Sequence, residues 1–429
     1  IHLVPTFRRR IVEVPFDMDR PYWADDPNFD LDFHLRHIAV PPPGTLKELF
    51  TLFARIISRP LDRSKPLWEM YYVEGLGEVP GVPEGAVAWL TKIHHSAIDG
   101  VSGIDLLTTM LDLSPEIREV EPPAEPWSPP ALPTDVELIA RATGHRITSP
   151  IKFLESLPRV LSSAATYGKE IGRRIIHLEP PKALFRGPKT RLNCAISAQR
   201  RFSAATISLA DIKTIRKAVA GATVNDAVLA VCAGALRRYL DSKGELPEEG
   251  LVAMTPISVR AEGDEASGGN KISSMLCPLH TDVDDPMERL EKIHDAMVEA
   301  KEVHGALGAN VLMDATNFLP SSTLALAARL YTRVRIADLT RPFFNVVISN
   351  VPGPQIPLYA AGARLLAQYP SGPIVEGLAL FIGVFSYCGD VTIGLTADRD
   401  ALPDVDFLAE CMTESMAELL EAAEKSQRA

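Results

Sequence analysis

Between Asp112 and Glu137 the chain carries seven prolines, seven acidic residues and one arginine. Proline fixes φ and removes a backbone donor, so this stretch reads as an extended, solvated crossing segment and not as an element. The chain must then fold as two bodies joined by a long connection. The next stretch, Arg141–Arg191, has the opposite sign, with eleven Lys or Arg against three Glu in a chain whose net charge is −11. Within it Ile151, Leu154, Leu157 and Leu161 recur at helical spacing, as do Ile171, Ile175 and Leu178. A basic amphipathic helix is predicted, interrupted near Pro158. Such a helix serves either as a solvated face between two domains or as a contact for anionic lipid or acyl-carrier phosphates.

On both sides of the connection, strand and helix patterns alternate. Asp30–Arg36 puts Leu31, Phe33 and Leu35 on one face, which predicts a half-buried strand. Thr45–Ser58 and Val101–Leu111 predict helices, and Ala86–Ile93 a strand. Beyond the connection, helices are predicted at Leu209–Val219, Thr223–Leu240, Pro286–Lys301 and Val405–Ala423. The second opens with a Thr223-x-x-Asp226 capping pattern. Strands are predicted at Leu251–Val259, Ile272–Leu279, Phe344–Ser349, Leu378–Tyr387 and Val391–Thr396. The expectation is a mixed α/β fold: a first half over 1–111, a proline-rich and basic connection over 112–200, and a second half over 201–429.

Composition narrows the function. The apolar fraction is 46% and the charged fraction 23%, which excludes general disorder. The acidic balance argues against a nucleic-acid partner. The five cysteines (Cys194, Cys232, Cys277, Cys388 and Cys411) are far apart and none form a CxxC pair, which suits a reducing cytosol. No continuous apolar run of membrane-spanning length is present. The chain starts without methionine, and Ile1-His2-Leu3-Val4-Pro5 reads as a start inside a domain.

The chemistry concentrates at His94-His95-Ser96-Ala97-Ile98-Asp99-Gly100. An apolar strand runs into two histidines, and a helix pattern follows. A helix start beside an imidazole favours its neutral form, which can take a proton from a hydroxyl near neutral pH. Strand alternation predicts that only one of the two histidines faces a given cleft. The competing reading makes Asp99 a helix cap, Gly100 a turn residue and both histidines packing residues. A metal centre is disfavoured, because no HExxH occurs and His34 and His37 sit three apart on a predicted strand. A serine hydrolase is disfavoured by the absence of G-x-S-x-G.

The HHxxxDG pattern of His94–Gly100 resembles the signature of the CoA-dependent acyltransferase superfamily, which includes chloramphenicol acetyltransferase and peptide-synthetase condensation domains. Pro66-Leu67-Trp68-Glu69, Asn225-Asp226, Thr255–Arg260, Gly269-Asn270, Ser349–Pro354, Ser371-Gly372-Pro373 and Gly389-Asp390 follow in order. This set resembles the bacterial wax ester synthase/diacylglycerol acyltransferase family over essentially the whole chain. Members of that family usually begin with a further strand and helix, absent here.

The resemblance implies two chloramphenicol-acetyltransferase-like domains around a central tunnel. It implies His95 as general base, His94 as support, and Asp99 as a structural group paired with Arg260. Gly100 would shape the turn. Pro66, Leu67, Trp68, Asn225, Asp226, Asn270, Ser349, Asn350, Ser371 and Gly372 are candidate substrate contacts, and Asn225, Asn270 and Asn350 are also oxyanion candidates. Trp68, Trp89, Leu378, Leu380 and Phe381 are candidate acyl-chain walls, with ordinary core the favoured reading for each. The implied partners are acyl-CoA as co-substrate, with no bound cofactor and no metal, and diacylglycerol or a long-chain alcohol as acceptor. A cytoplasmic location follows, with peripheral contact to a membrane or lipid droplet. Two other classes stay open. His94 and Asp99 also satisfy the H-x4-D spacing of glycerolipid acyltransferases, with His94 as base. A non-catalytic lipid-surface protein could retain the fold.

Overall fold

The computed structural model describes residues 1–77, 79–98, 109–145, 187–258, 272–307, 332–338 and 340–428. The N-terminal part opens with a hairpin of β1 (Arg9–Val12) and β2 (Tyr22–Asp25). A helical turn, α1 (Leu31–His34), then leads into β3 (Leu35–Ala39). α2 spans Leu46–Ile57, β4 Trp68–Glu74 and β5 Ala88–Ile93. β3 pairs parallel with β4, and β4 antiparallel with β5. α2 starts where predicted because Thr45 and Glu48 form a reciprocal capping box. Its Leu49 and Ile56 pack on Tyr71 and Val73 of β4.

The predicted strand over Asp30–Arg36 is corrected. The Asp30 carboxylate accepts the Asp32 N–H at 3.1 Å and starts α1, so the strand begins only at Leu35. The period-two pattern placed Leu31, Phe33 and Leu35 inward, yet the fully buried residue is His34. Its Nδ1–H donates to the Trp68 carbonyl at 2.7 Å.

The proline-rich segment is extended, as predicted, only as far as Pro133. Asp112 exchanges two backbone hydrogen bonds with Tyr359, which ties the crossing to the C-terminal part. The Thr134 backbone N–H then donates to Glu137 at 2.8 Å, and a helix occupies residues 135–145. Its Leu138 and Ala142 pack against Val14. The predicted basic helix falls on residues 146–186, outside the described residues, as do residues 101–108 of the predicted Val101–Leu111 helix.

The C-terminal part is built on one six-stranded mixed sheet, in the order β6-β13-β12-β9-β7-β8. Its strands are β6 (Arg200–Ser208), β7 (Val252–Ser258), β8 (Ile272–Pro278), β9 (Val346–Pro352), β12 (Leu380–Tyr387) and β13 (Asp390–Asp398). β10 (Tyr359–Ala360) and β11 (Ala363–Arg364) form a small separate hairpin. Among the described residues, four long or medium helices accompany the sheet: Leu209–Arg216, Val224–Ser242, Pro286–Leu307 and Val405–Arg428.

The helix over Val224–Ser242 is the centre of the core, because Ala, Val, Leu and Cys side chains on it are buried on all sides. The C-terminal helix lies directly on it at Gly234, where an added Cβ would stand 2.2 Å from Ser415 Oγ. β6 was not predicted, although it is an edge strand of the large sheet. The rings of Phe50 and Phe53 on α2 meet Phe202 of β6 edge-on at 5.1 and 4.8 Å, which covers that edge and joins the two sheets. The Arg200 N–H donates to Ser58 Oγ at the end of α2, 2.9 Å away.

Candidate active site

β5 delivers the two histidines. Ile93 is opposite Trp68 in the antiparallel ladder, and the His94 N–H donates to the Leu67 carbonyl at 2.9 Å. The strand then stops. The His94 carbonyl accepts the Ala97 N–H at 2.9 Å, and His94 Nδ1 accepts the Ser96 N–H at 3.2 Å. His94 is therefore the cap of a helical turn, α3 (His95–Ile98), with its ring in the place of a capping carboxylate or hydroxyl. Strand alternation does not govern the pair, since neither histidine lies in the strand, and both residues are exposed. Asp99, Gly100, Arg260 and Asn270 lie outside the described residues, as does the proposed Asp99–Arg260 pair. The neighbouring residues 101–108 and 259–271 also lie outside them.

Leu67 and Trp68, at the start of the neighbouring strand β4, hold this junction through the Leu67 carbonyl and the Trp68–Ile93 pair. Leu67 and Trp68 are 2% and 1% exposed. Trp68 stacks between Phe7 and His34, with centroids at 4.8 and 4.3 Å, and its Nε1–H donates to the Phe7 carbonyl at 2.8 Å. The Pro66 carbonyl accepts the Trp68 N–H at 2.9 Å. Trp68 and Met70 also wall an apolar cavity of about 470 Å³ with Leu35 and Met110, and neither His94 nor His95 lines it. Of the other candidate acyl-chain walls, Leu380 is core and Trp89 is exposed.

Several groups around β5 escaped the sequence reading. The Lys92 ammonium, two residues before His94, donates to the carbonyls of Ile56 and Arg59 at the end of α2. Burial holds this lysine below its usual range. Tyr71 donates to the Glu69 carboxylate at 2.6 Å, and burial together with that bond pushes the phenol up to about 12. Ser96 was visible only as part of the motif. A Ser two residues after a strand-ending His was its signal, a hydroxyl able to reach back across a helix start.

His34 gives a pH dependence. Burial lowers its pKa below the ordinary value of 6.5, against the opposing pull of the Trp68 carbonyl, Glu69 and Asp26. The unfolded chain takes up this proton as pH falls through 6.5 while the folded chain resists it, so stability is full above 6.5 and declines below it. Urea midpoints at pH 7.5 and 5 should therefore fall on acidification, and fall less in His34→Phe. His280, also lowered by burial, keeps part of the slope. An undiminished slope in His34→Phe would refute the assignment.

In the second part, tertiary structure brings Asn225 and Asn350 together across 125 residues of sequence, with Asn350 Nδ2 donating to Asn225 Oδ1 at 3.1 Å. Asn350 is on β9, and Asn225 is in the first turn of the Val224–Ser242 helix. Asp226 turns the other way. Its carboxylate accepts the Thr223 N–H at 2.9 Å and pairs with His294 at 2.9 Å, and it is 1% exposed. That is a structural capping role. Ser349 is on β9 opposite Gly383. Ser371 Oγ is 2.8 Å from Thr396 Oγ1, and a Cβ on Gly372 would meet the Phe381 ring at 2.3 Å. Ser371 and Gly372 thus belong to a loop packed closely on the sheet. Cys388 and Gly389 form the two-residue turn between β12 and β13, with φ of 46° and 95°, which is the demand of a type I′ turn.

Among the described residues, no three His, Cys, Asp or Glu side chains converge as metal ligands, and no helix is long and apolar enough to cross a membrane. The five cysteines are free, and burial pushes Cys232 and Cys277 up to about 12.

Comparison with known proteins agrees with this arrangement. Residues 1–228 match the family model of the wax ester synthase/diacylglycerol acyltransferase catalytic domain, and residues 268–420 match that of the corresponding C-terminal domain. A protein of Mycobacterium bovis, provisionally named a diacylglycerol O-acyltransferase, is 36% identical over 97% of this chain and 87% of its own. One from Mycobacterium tuberculosis H37Rv, also provisionally so named, is 32% identical over 99% of this chain and 81% of its own. The solved structure of a wax ester synthase/diacylglycerol acyltransferase from Marinobacter aquaeolei VT8 superposes with a TM-score of 0.67 at 31% identity. It covers 97% of this chain and 86% of that one. With its mixed α/β fold and two joined sheets, the chain belongs to the wax ester synthase/diacylglycerol acyltransferase family.

Proposed function

We propose that this protein is an O-acyltransferase that moves a long-chain acyl group from acyl-CoA to the free hydroxyl of diacylglycerol, or to a long-chain alcohol, with His95 as general base. The observation that carries the reading is the junction after β5. A strand pinned by Leu67 ends in two exposed histidines, the first engaged in capping and the second opening the turn. A thioester is already activated, so no covalent enzyme intermediate is needed. His95 takes the proton of the acceptor hydroxyl while its oxygen bonds to the thioester carbon. The carbonyl electron pair moves onto oxygen and then returns as the carbon–sulfur bond breaks. The imidazolium gives its proton to the departing thiolate. The products are an ester and free CoA. General-base catalysis supplies about 10²–10⁴-fold, and positioning and oxyanion donors supply the remainder.

The test is a matrix of acyl-CoA donors against diacylglycerol, long-chain and short alcohols, following thiol release and ester formation together. The expected result is ester formed in step with thiol. No acceptor-dependent thiol release from any pair would end the reading.

Two further parts complete the proposal. Asp99 and Arg260 pair and tie the catalytic loop to the second half. Arg260→Ala should then lose both stability and activity, and a variant that melts like the parent with full activity would refute the pair. The lipid acceptor also calls for work at a membrane or droplet surface, through the basic charge of Arg141–Arg191. Sedimentation should show tighter association with anionic than with neutral vesicles, and equal association would remove that electrostatic role.

A further inference from the structure

The last two residues of β5 are held on opposite faces of the sheet, as strand alternation requires. Ile93 packs with Phe7, Trp68 and Met70 on one face. Lys92 reaches α2 from the other, and stands opposite Glu69 in the ladder. Glu69 is buried and engaged by the Tyr71 hydroxyl at 2.6 Å and by Arg36 at 3.4 Å. The Lys92 ammonium donates to the Ile56 carbonyl at 2.9 Å and to the Arg59 carbonyl, where a cation meets the negative end of the helix dipole. The helix end does not depend on it, because the Ser58 and Arg59 N–H groups already close the last turn on the carbonyls of Ala54 and Ile56, at 3.1 and 3.3 Å. What Lys92 adds is a strap between β5 and α2. The same turn of α2 receives the second sheet, where the Arg200 N–H donates to Ser58 Oγ at 2.9 Å. His94 follows two residues after Lys92, with its N–H on the Leu67 carbonyl.

We propose that Lys92 is a positioning residue for acyl transfer, its ammonium fastening the end of β5 to the last turn of α2 and so fixing where the His94-His95 turn stands. The proposal rests on the acyl-transfer reading above. Lys92 takes no part in the proton or bond changes, so the balance of that reaction is unchanged. It acts through the backbone of β5, whose one strand partner among the described residues is β4. Without the strap, the strand end that carries the histidines is held laterally by β4 alone, and a shift of about 1 Å at a reacting group can cost about 10²-fold in rate.

Three substitutions in the full chain test the strap, assayed with palmitoyl-CoA and dioleoylglycerol under conditions where urea curves show each variant folded. Lys92→Met keeps the apolar stem and removes the donors, and Lys92→Arg keeps a charged donor. Tyr71→Phe removes a hydroxyl from the same buried cluster and leaves the strap intact. Lys92→Met should lower kcat by about 10²-fold, with the acyl-CoA KM within about twofold of the parent's. Lys92→Arg should recover at least about tenfold of that loss. Tyr71→Phe should lower the urea midpoint and keep kcat within about threefold of the parent's. A Lys92→Met kcat within about threefold of the parent's would overturn the proposal, as would no recovery by arginine. An equal fall in Tyr71→Phe would also overturn it, because the loss would then follow the packing of the cluster and not the strap. If Lys92→Met does not fold, amide hydrogen exchange of the wild type decides: a His94 N–H protected as strongly as those inside β4 upholds the strap, and exchange at the rate of a fraying strand end overturns it. Absence of acceptor-dependent thiol release by the wild type would overturn the acyl-transfer reading instead.

Discussion

Replacing His95 by alanine should lower acyl transfer by about 10²–10⁴-fold, the range supplied by a positioned general base. Thiol release and ester formation should fall together, because in the proposed mechanism both steps pass through the same proton. The unfolding midpoint stays close to the parent's, because the side chain is exposed and a substitution at such a position typically changes stability by less than about 0.5 kcal/mol. Rate and melting curve must be measured on the same preparation. A folded His95→Ala protein with undiminished transfer would remove the mechanism, and one that no longer folds would make His95 a structural residue.

The largest effect on stability is expected at Trp68. Its indole is 1% exposed, lies between the rings of Phe7 and His34, and donates to the Phe7 carbonyl. Truncation to alanine removes all of these contacts and opens a cavity, at a cost of about 3–5 kcal/mol. Trp68→Phe keeps an aromatic ring in the stack but leaves the Phe7 carbonyl without the indole donor, which costs about 1–3 kcal/mol. Urea unfolding should rank the parent above Phe and Phe above Ala. Activity of the folded fraction should fall as well, since the residue before Trp68 supplies the carbonyl that holds the His94 N–H. A Trp68→Ala protein less than about 1 kcal/mol weaker than the parent would show that the site collapses around the missing ring.

Legibility followed the range of the forces involved. The Val224–Ser242 helix start was readable from the Thr223–Asp226 capping pattern and α2 from its apolar periodicity, and in both the capping box closes within one turn. The strands flanking Cys388-Gly389 were readable from their continuous apolar runs. Asp30–Arg36 misled because a short alternating pattern fits one helical turn followed by a strand just as well. β6 was missed because its first residues, Arg200 and Arg201, are polar and the cover on its edge comes from Phe50 and Phe53, some 150 residues earlier. The helix over residues 135–145 was hidden by the prolines immediately before Thr134.

The amino-acid order alone determined the chemistry on offer: an adjacent pair of imidazoles at a strand end, an ordered series of motifs, and two α/β bodies separated by prolines. It also determined the local caps and the family, since these depend on near neighbours and on the succession of short patterns. Only the tertiary structure decided that the His94 N–H is fastened to Leu67, that Asn225 meets Asn350, and that Asp226 turns toward His294. Each of these is a directional hydrogen bond between groups far apart in the chain or on neighbouring strands. Its geometry exists only once sheet register and helix packing have set both partners within about 3 Å of each other.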